Sequence, residues 1–405
     1  MRKVLMIAQY FPPAGSIGTV RVTKFVKYLQ EFGWKPIVLT MRPDCYPNNV
    51  WMDQGLVKDI PENVAVYRTG ILRTRVINDK GIRWIPYLLP AMAKVIKKEN
   101  PQLIYLTAGP FFPLIAGPFI KFFLKRPYVV DLRDPWKLAR RALPLHGLKA
   151  RLGKLLTDAC EPFVLKHAAK IICVNEYMCE EYRKAYPELS DKFVAIPNGY
   201  DLDDINTVVP QRFTKFTVVY TGKFRTAEAF RDPTAFFQAL KICRQRDYDI
   251  QFIHVGAIEQ EVINIVKQIG VSDLVRFIGS RPYSEALAYA KGANVLLLIG
   301  GGQRTEQTGK VFDYIACGRP ILALAPLDGG IAEVLRNINF ARLIPNNDPE
   351  MIARTLKEMY HNPNDGSQLI LPEKYDRRLL TGSLARIFDE VTSEARFDKV
   401  NILEI

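Results

Sequence analysis

The sequence predicts an α/β protein made of two consecutive doubly wound domains, each a parallel β-sheet covered by helices on both faces. Short, continuous apolar segments alternate with helical patterns along the whole chain, as in parallel sheets that are buried on both sides. The alternation stops at a polar, turn-rich stretch that begins at Pro197-Asn198-Gly199, and then it restarts. The length of 405 residues, with 48% hydrophobic and 24% charged residues, suits two or three folded domains.

The first half contains seven short apolar segments, each predicted to be a strand. They lie at 4–9, 36–40, 64–68, 103–107, 128–132, 171–175 and 193–196. Between them, apolar residues repeat with helical spacing at 20–32, 88–99, 146–166 and 176–185. Residues 101–120 have the length of a membrane span, but four prolines and two glycines favour a strand, a loop and the start of a helix that runs to about Lys125.

The second half repeats the alternation. Strands are predicted at 217–221, 251–255, 275–278, 295–299, 321–325 and 341–344. Helices are predicted at 233–246, 259–269, 283–291, 309–317, 330–337, 349–360 and 376–394. We therefore expect an N-terminal domain at 1–205, a C-terminal domain at 206–375, and a last helical segment at 376–405 that crosses back to the first domain. Ligands of doubly wound sheets bind at the carboxyl ends of the strands, so we expect a binding cleft between the domains.

Positive charge is concentrated in the first half of the chain. Residues 1–200 hold 31 Lys and Arg against 16 Asp and Glu, a net charge of +15, whereas the remainder has a net charge of −1. This asymmetry indicates an anionic partner for the first domain, either a nucleic acid, a phospholipid surface or a phosphorylated substrate. A basic surface that only aids solubility is the alternative.

Six dispersed cysteines without a C-x-x-C pair, and four scattered histidines, predict neither a disulfide framework nor a metal site. A reducing, cytoplasmic environment fits this cysteine usage. The N-terminal segment is basic and then apolar, but it is short, has no small-residue cleavage site and ends at Pro12-Pro13. It is therefore interpreted as a buried first strand and not as a signal peptide.

Two loops that join a first strand to a first helix have the chemistry of phosphate sites. The first contains Gly15 and Gly18, which would let a phosphate approach backbone N–H groups at a helix N-terminus. The second carries three cations, Lys223, Arg225 and Arg231, at the expected carboxyl edge of the second sheet. A tight turn explains the glycines about as well, and solvated surface cations explain the second loop about as well.

A third loop is the strongest signal. A predicted strand ends in the triple glycine 300–302, and a helix follows from about Thr308-Gly309. Free N–H groups of Gly309, Lys310 and Val311 would suit a phosphate. Asp313 lies one turn after Lys310, so its carboxylate could reach sugar or ribose hydroxyls while the amine meets phosphate. A surface ion pair between the two residues is the alternative, although it leaves the triple glycine unexplained.

These motifs, in this order, resemble the family-four retaining glycosyltransferases over nearly the whole chain. The segments that carry the resemblance are FPPAGSIG, IPNGYD, YTGKF, FIGSRPYSEALAYAKGANVLLL and TGKVFDYIACGRPILAL. The resemblance implies the glycosyltransferase-B fold, in which two Rossmann-like domains face each other across a cleft. It also implies a nucleotide-sugar donor, a metal-independent reaction and no cofactor.

The resemblance also assigns donor-side residues. The neighbourhood of Gly15 and Gly18 would face the donor diphosphate, while Lys223 and Arg231 occupy the family's usual arginine and lysine positions. The family's E-x7-E motif is altered, because its second glutamate corresponds to Asp313, which would bind ribose, and its first falls at Thr305, next to Glu306. The segment 278–283, which includes Arg281, would line the base pocket.

The acceptor side is implied by residues 128–136, which end in a D-x-R-D-x-W variant of the segment where the family commonly has a histidine. Asp134 is the first candidate to contact the acceptor hydroxyl, Asp131 is the second, and Arg133 lies between them. A buried Asp131–Arg133–Asp134 cluster that only holds the loop is the alternative. Retaining members are thought to react on one face of the sugar, with the leaving diphosphate taking the acceptor proton.

A glycan or lipid-linked acceptor would explain the positive charge of the first half of the chain, because such an acceptor lies at an anionic membrane. Cations between Lys137 and Lys154, and a second segment with Trp84, Tyr87 and Leu88, suit peripheral contact with an anionic membrane. Solvated lysines on ordinary helices are the alternative. The rival functions are a nucleotide-sugar 2-epimerase of the same architecture and a nucleic-acid-binding protein. No nucleic-acid-binding motif is present, so no nucleic acid is expected.

Overall fold

The computed structural model describes residues 1–48, 50–74, 77, 79–137, 148–224, 231–362 and 371–403. The chain divides into two compact units. Unit 1 comprises Met1–Pro197 and Arg377–Ile405, and unit 2 comprises Asn198–Asp376. Each unit is a parallel α/β layer structure, which confirms the predicted fold class.

Unit 1 is built on a sheet of seven parallel strands. They are β1 (Arg2–Ile7), β2 (Trp34–Met41), β3 (Ala65–Thr69), β4 (Leu103–Thr107), β5 (Tyr128–Leu132), β6 (Lys170–Cys173) and β7 (Phe193–Ala195). The strand order is β3-β2-β1-β4-β5-β6-β7, so it reverses between β1 and β4. The described residues up to the domain boundary form the α-helices α1 (Ile17–Tyr28), α2 (Lys80–Glu99), α3 (Ala116–Leu124), α4 (Leu148–His167) and α5 (Glu176–Ala185).

Unit 2 repeats this architecture with six parallel strands. They are β8 (Phe216–Thr221), β9 (Ile250–Val255), β10 (Val275–Phe277), β11 (Val295–Ile299), β12 (Ile321–Leu324) and β13 (Ala341–Ile344), in the order β10-β9-β8-β11-β12-β13. Its helices are α6 (Leu202–Asn206), α7 (Thr234–Gln245), α8 (Gln260–Ile269), α9 (Tyr283–Gly292), α10 (Lys310–Cys317), α11 (Gly330–Leu335) and α12 (Pro349–His361).

The C-terminal helix α13 (Arg377–Leu403) belongs to unit 1. It packs with α1 on one face of the first sheet, where Leu384 and Phe388 share a core with Val22 and Phe25. The indole N–H of Trp34 donates to Asp389 at 2.8 Å, which ties the helix to β2. Burial of this apolar stripe, and not helix propensity alone, holds α13 in place.

The boundary between the units falls earlier than the sequence predicted. The predicted boundary lies at 205/206, whereas the contacts place it between Pro197 and Asn198. The reason is that the turn-rich segment packs into unit 2, where Tyr200 and Ile205 are buried in the core. The N–H of Tyr200 donates to the carbonyl of Tyr375 at 3.0 Å. Turn chemistry marks the end of a periodic pattern but not the core that the following residues join.

Helix α2 begins eight residues before its predicted start, because Asp79 caps it by accepting a hydrogen bond from the N–H of Ile82 at 3.0 Å. Its Trp84 and Leu88 are fully buried in the core of unit 1, so their predicted place in a membrane-contacting segment is wrong. Tyr87 remains 45% exposed. No helix among the described residues is long and apolar enough to cross a membrane.

Candidate functional site

The order of strands in unit 2 reverses between β8 and β11, so the loops that follow these two strands diverge and leave a crevice at the carboxyl edge of the sheet. The loop after β8 begins at Gly222, whose φ of +94° suits glycine. The loop after β11 is the triple glycine that leads to α10. The third and strongest predicted phosphate loop therefore lies at the position where ligands of such sheets bind.

Lys310, the first residue of α10, has a buried ammonium group. Its Nζ lies 3.8 Å from the centroid of the Tyr220 ring and has no hydrogen-bond partner among the described residues. A Cβ at Gly222 would lie 3.2 Å from Nζ, so glycine leaves room for the lysine. Burial, followed by the positive charge of Arg231, lowers the pKa of Lys310 well below its ordinary value. An anion placed beside Nζ would satisfy it and restore the charged form.

Arg231 and Glu306 form an ion pair in the same unit. Arg231 Nη2 lies 2.7 Å from Glu306 Oε1, and the two side chains are largely buried. The other carboxylate oxygen of Glu306 accepts a hydrogen bond from the N–H of Gly301. The carboxylate of Glu306 therefore accepts from one guanidinium and one glycine N–H, and both of these donors could also bind a phosphate oxygen. Thr305, which matches the first position of the E-x7-E motif, is half-buried in the same loop.

The N-terminus of α10 differs from the prediction in one residue. Gly309 is buried and caps the helix, and neither its N–H nor that of Lys310 has an acceptor in the part of the chain that the structure describes. The N–H of Val311 instead donates to the carbonyl of Thr308 at 3.3 Å, and its side chain is fully buried. Val311 is therefore a core residue whose N–H already has an acceptor, which argues against the phosphate-donor role predicted for it.

Asp313 does not pair with Lys310, which forms no ion pair with any described carboxylate. Asp313 Oδ1 instead accepts a hydrogen bond of 2.7 Å from the hydroxyl of Tyr283, at the start of α9. The next residue, Tyr314, is linked to the end of β8, because its hydroxyl accepts the N–H of Thr221 at 2.9 Å. Helix α10 is thus fixed against two neighbouring elements, and the alternative of a surface pair between Lys310 and Asp313 is excluded.

Three further cations were predicted for the donor site, namely Lys223, Arg225 and Arg281. Among the described residues, no hydrogen bond or ion pair links them to the site around Lys310. Lys223 is exposed, and its backbone carbonyl accepts the hydroxyl of Tyr220 at 2.9 Å. Arg281 is exposed and forms an ion pair with Glu285, with Nε and Oε2 3.7 Å apart. Arg225 lies outside the described residues. Their roles stay predictions.

His254 is a residue of this site that sequence reasoning missed. It is 1% exposed, its Nε2 lies 2.7 Å from the carbonyl of Gly222, and its Nδ1 has no partner among the described residues. Burial lowers its pKa, which favours the neutral ring that donates through Nε2. The sequence does contain a signal for this residue, because His254 is a polar residue near the end of an otherwise apolar strand. The structure adds that His254 pairs in register with Tyr220 of β8.

In unit 1, Asp131 is fully buried at the end of β5. Its carboxylate receives two hydrogen bonds of 3.0 Å from Arg21 and further ones from Tyr105 and Thr107. Arg21 also donates to the carbonyls of Ile196 and Pro197, both at 2.9 Å. The Asp131–Arg21 pair therefore links β5 and α1 to Ile196 and Pro197, the last residues before unit 2 begins. This geometry argues against the acceptor-side contact predicted for it.

Arg133 lies between two glycines. A Cβ at Gly18 would come within 1.0 Å of its Nη1, and one at Gly109 within 2.4 Å of its Nη2. The guanidinium donates to the carbonyls of Ala108, from Nε at 2.7 Å, and of Gly109, from Nη2 at 3.0 Å. The predicted Asp131–Arg133–Asp134 cluster does not form, because Arg133 bonds carbonyls and Asp131 bonds Arg21. Gly18 makes room for this arginine.

Asp134 is exposed and makes no hydrogen bond or ion pair with the described residues. The loop that carries it is anchored by Trp136, which is buried and stacks on Phe111 with ring centroids 5.4 Å apart. The backbone N–H of Trp136 donates to the hydroxyl of Tyr182 at 2.9 Å. A rigid loop that presents an exposed carboxylate suits a contact with a ligand. The acceptor-side role of Asp134 stays a prediction.

The first loop of unit 1 is also covered by protein. The N–H of Gly15 donates to the carbonyl of Trp51 at 2.7 Å, and a Cβ at Gly15 would lie 2.7 Å from Trp51 Cδ1. Gln9, just after β1, is buried, and neither atom of its side-chain amide has a partner among the described residues. Sequence reasoning missed Gln9, although a polar residue just after a first strand is a recognisable signal.

No described group of three His, Cys, Asp or Glu side chains is placed to hold a metal ion.

Comparisons with known proteins match both halves of the chain. Residues 18–204 match the family model described as Glycosyltransferase Family 4, and residues 215–362 match that of Glycosyl transferases group 1. No curated protein matches the chain.

Among solved structures, a glycosyltransferase from Rickettsia africae is 14% identical with a TM-score of 0.66, and covers 96% of this chain and 98% of its own. WaaG, a glycosyltransferase involved in lipopolysaccharide biosynthesis, is 14% identical with a TM-score of 0.61, over 97% and 99%. A putative UDP-N-acetylglucosamine 2-epimerase from Listeria monocytogenes is 12% identical with a TM-score of 0.62, over 97% of each chain. At these identities the structures show that the fold is shared.

Proposed function

The chain is a glycosyltransferase of the glycosyltransferase-B fold, and we propose that it moves a sugar from a nucleoside-diphosphate sugar to a hydroxyl group of a glycan or lipid-linked acceptor in the cell envelope. One observation carries the donor side of the proposal. The buried Lys310 ammonium lies over the Tyr220 ring without a hydrogen-bond partner in the described part of the chain, at the crevice of a doubly wound sheet. Buried cations without partners are costly, and a diphosphate would supply the missing partner.

The donor diphosphate would bind at the start of α10. Lys310 Nζ and the N–H groups of Gly309 and Lys310 supply donors to its oxygens, aided by the positive end of the helix. Arg231 would join them when its carboxylate partner Glu306 turns to the sugar hydroxyls. Gly222 and the triple glycine allow backbone to approach the phosphates closely. The contact with the ribose hydroxyls falls to Asp313, the acidic residue in the first turn of α10.

The transfer proceeds with retention, on one face of the sugar. The bond between the anomeric carbon and the diphosphate oxygen breaks, and the acceptor oxygen bonds to the same carbon from the side that the diphosphate leaves. The acceptor proton passes to the departing diphosphate. Lys310 and the helix N-terminus stabilise the negative charge that grows on the leaving group, so the reaction proceeds without a metal ion. Asp134 orients the acceptor hydroxyl.

A thermal-shift screen with UDP-, GDP-, dTDP- and ADP-sugars tests the donor site. A ligand that binds only the folded protein raises its stability by about 2.7 kcal/mol at a hundredfold excess over Kd. We expect one base to raise the Tm of the parent and of Lys215→Met, an exposed lysine just before β8. We expect no rise for Lys310→Met, which keeps the length of the side chain. A shift that survives in Lys310→Met would reject the phosphate site.

The second candidate function is a nucleotide-sugar 2-epimerase, because enzymes of that activity share the fold. Product analysis separates the two. Incubation of the purified protein with its nucleotide sugar and a cell-envelope lipid extract would give a glycosylated acceptor and free nucleoside diphosphate in the case of a transferase. Formation of the free epimer without release of nucleoside diphosphate would establish the epimerase instead.

A further inference from the structure

Helix α4 of unit 1 is apolar on two opposite sides. Val164 and Leu165 are buried on the side that packs into the core, where Thr157 and Glu161 are buried too. The opposite side carries exposed apolar residues spaced three or four apart, which places them in one stripe. They are Leu152, Leu155, Leu156, Ala159 and Phe163. Leu155 is 65% exposed, although a helix on the surface of a soluble protein usually presents polar residues there.

Helix α3 continues this surface. Phe122 and Phe123 are 45% and 71% exposed, and the rings of Phe122 and Phe163 have centroids 6.4 Å apart. His167 joins the helices, because its ring lies 4.8 Å from Phe122 and its carbonyl accepts Lys121 Nζ at 3.2 Å. We call this surface the α3–α4 apolar face. It comprises Phe122, Phe123, Leu152, Leu155, Leu156, Ala159 and Phe163.

Cations surround the α3–α4 apolar face. The exposed ones on or next to the two helices include Lys121, Lys125, Arg151 and Lys166. Helix α3 contains no acid, and α4 contains two. Of these, Glu161 is buried, and Asp158 is held by Lys154 at 3.0 Å and Lys137 at 3.5 Å. The surface is therefore positive as well as apolar.

We propose that the α3–α4 apolar face docks on an anionic lipid bilayer. Exposed phenylalanine and leucine side chains would enter the boundary between headgroups and acyl chains, while the lysines and arginine meet lipid phosphates. Charge complementarity favours a bilayer over a protein partner, because lysine is depleted in protein interfaces and would be left around an apolar contact here. A contiguous apolar surface is also uncommon on a protein that stays in solution.

This surface keeps Arg151 from the predicted membrane-contacting cations and is otherwise built from different residues. Trp84 and Leu88 belong to the core, and the cations Arg140 and Arg141 lie outside the described residues. The α3–α4 apolar face lies within unit 1 alone. It stands independently of the nucleotide site in unit 2, so a failure of one leaves the other intact.

Sedimentation of the full chain with vesicles tests the apolar contribution. We expect the parent to bind phosphatidylcholine vesicles that contain about a third phosphatidylglycerol. The variant Phe123→Ser/Leu155→Ser should lose roughly tenfold or more of this partitioning, because two large apolar side chains no longer enter the lipid. The matched control is Val209→Ser/Leu327→Ser in unit 2, which removes residues that are 81% and 63% exposed. It should bind as the parent does.

The variant Lys125→Glu/Lys166→Glu tests the charged rim. Each cation near an anionic surface is worth about a fivefold change in partitioning, so the double reversal should lower binding by at least roughly 25-fold. Both face variants should keep the parent's Tm and its nucleotide-sugar thermal shift, since every substituted residue is exposed. The proposal would be overturned if the parent does not bind anionic vesicles, or if the two variants of the α3–α4 apolar face bind as strongly as the parent. A parent dimer that Phe123→Ser/Leu155→Ser converts to a monomer would overturn it as well.

Discussion

The Lys310 ammonium lies 3.8 Å above the centre of the Tyr220 ring, at the edge of the sheet where β8 ends. The contact joins the first residue of α10 to β8, one of the two strands between which the strand order reverses. A cation over an aromatic face gains about 0.5–2 kcal/mol, which offsets only part of the cost of burying it. The remaining cost makes this lysine sensitive to pH and to anions.

Replacement of Lys310 by Met should stabilise the ligand-free protein. The buried charge is removed while the side chain keeps its volume, so we expect a gain of about 1–3 kcal/mol in the free energy of unfolding at pH 7. The measurement is urea unfolding without nucleotide. A loss of stability would show that the ammonium already has a partner.

The gain from Lys310→Met should also depend on pH. The folded-state pKa of Lys310 lies below the unfolded value of 10.5, so the unfolded chain binds more protons between the two pKa values. The destabilisation by Lys310 is therefore complete below the folded pKa and fades as the pH rises toward 10.5. Unfolding curves of parent and variant from pH 6 to 10 should converge with rising pH. Curves that stay parallel would contradict a lowered pKa.

Replacement of Asp313 by Ala should weaken nucleotide-sugar binding. It removes the carboxylate proposed to hold the ribose hydroxyls, and we expect a loss of about 1.5–3 kcal/mol, or roughly tenfold or more in affinity. Isothermal titration with the nucleotide sugar found in the thermal-shift screen measures it. Asp249→Ala serves as the control, because Asp249 is an exposed acid at the amino end of β9. Equal affinities for the two variants would remove Asp313 from the site.

Substitution of Gly18 by Ala should destabilise unit 1 through Arg133. The new methyl group would overlap the guanidinium, which must leave the carbonyls of Ala108 and Gly109, at a cost of about 2 kcal/mol or more. The same substitution in an Arg133→Ala background should cost much less. A double-mutant cycle on urea unfolding measures the coupling. Additive effects would mean that Gly18 is needed for another reason.

Asp131, in β5, and Asp134, just after it, should respond differently to replacement by asparagine. Asp131→Asn breaks the buried pair with Arg21 and should lower the free energy of unfolding by about 3–5 kcal/mol. Asp134→Asn, at an exposed position, should change stability by no more than about 0.5 kcal/mol but should impair sugar transfer and leave donor binding intact. Chemical unfolding and a transfer assay measure the two effects. An Asp134→Asn protein with full transfer activity would leave that residue without an acceptor role.

Much of the fold follows from local sequence. All thirteen strands lie within a few residues of the predicted segments, because a strand buried on both faces must be continuously apolar over its length. Helix α10 is another local result, since Gly309 and Gly318 mark its two ends and the strand before it ends in glycines. Helix α6 was missed, because five residues are too few to show a helical period.

The partners of the charged residues were decided only by the tertiary structure. Arg21 and Asp131 are 110 residues apart in the chain, and spacing suggested Arg133 as the partner because it was near. Helical spacing likewise placed Lys310 beside Asp313, but packing turned the lysine to Tyr220 and the aspartate to Tyr283. The physical reason is that backbone pattern and propensity act within a few residues, whereas burial and electrostatic pairing depend on which loops the completed sheet brings together.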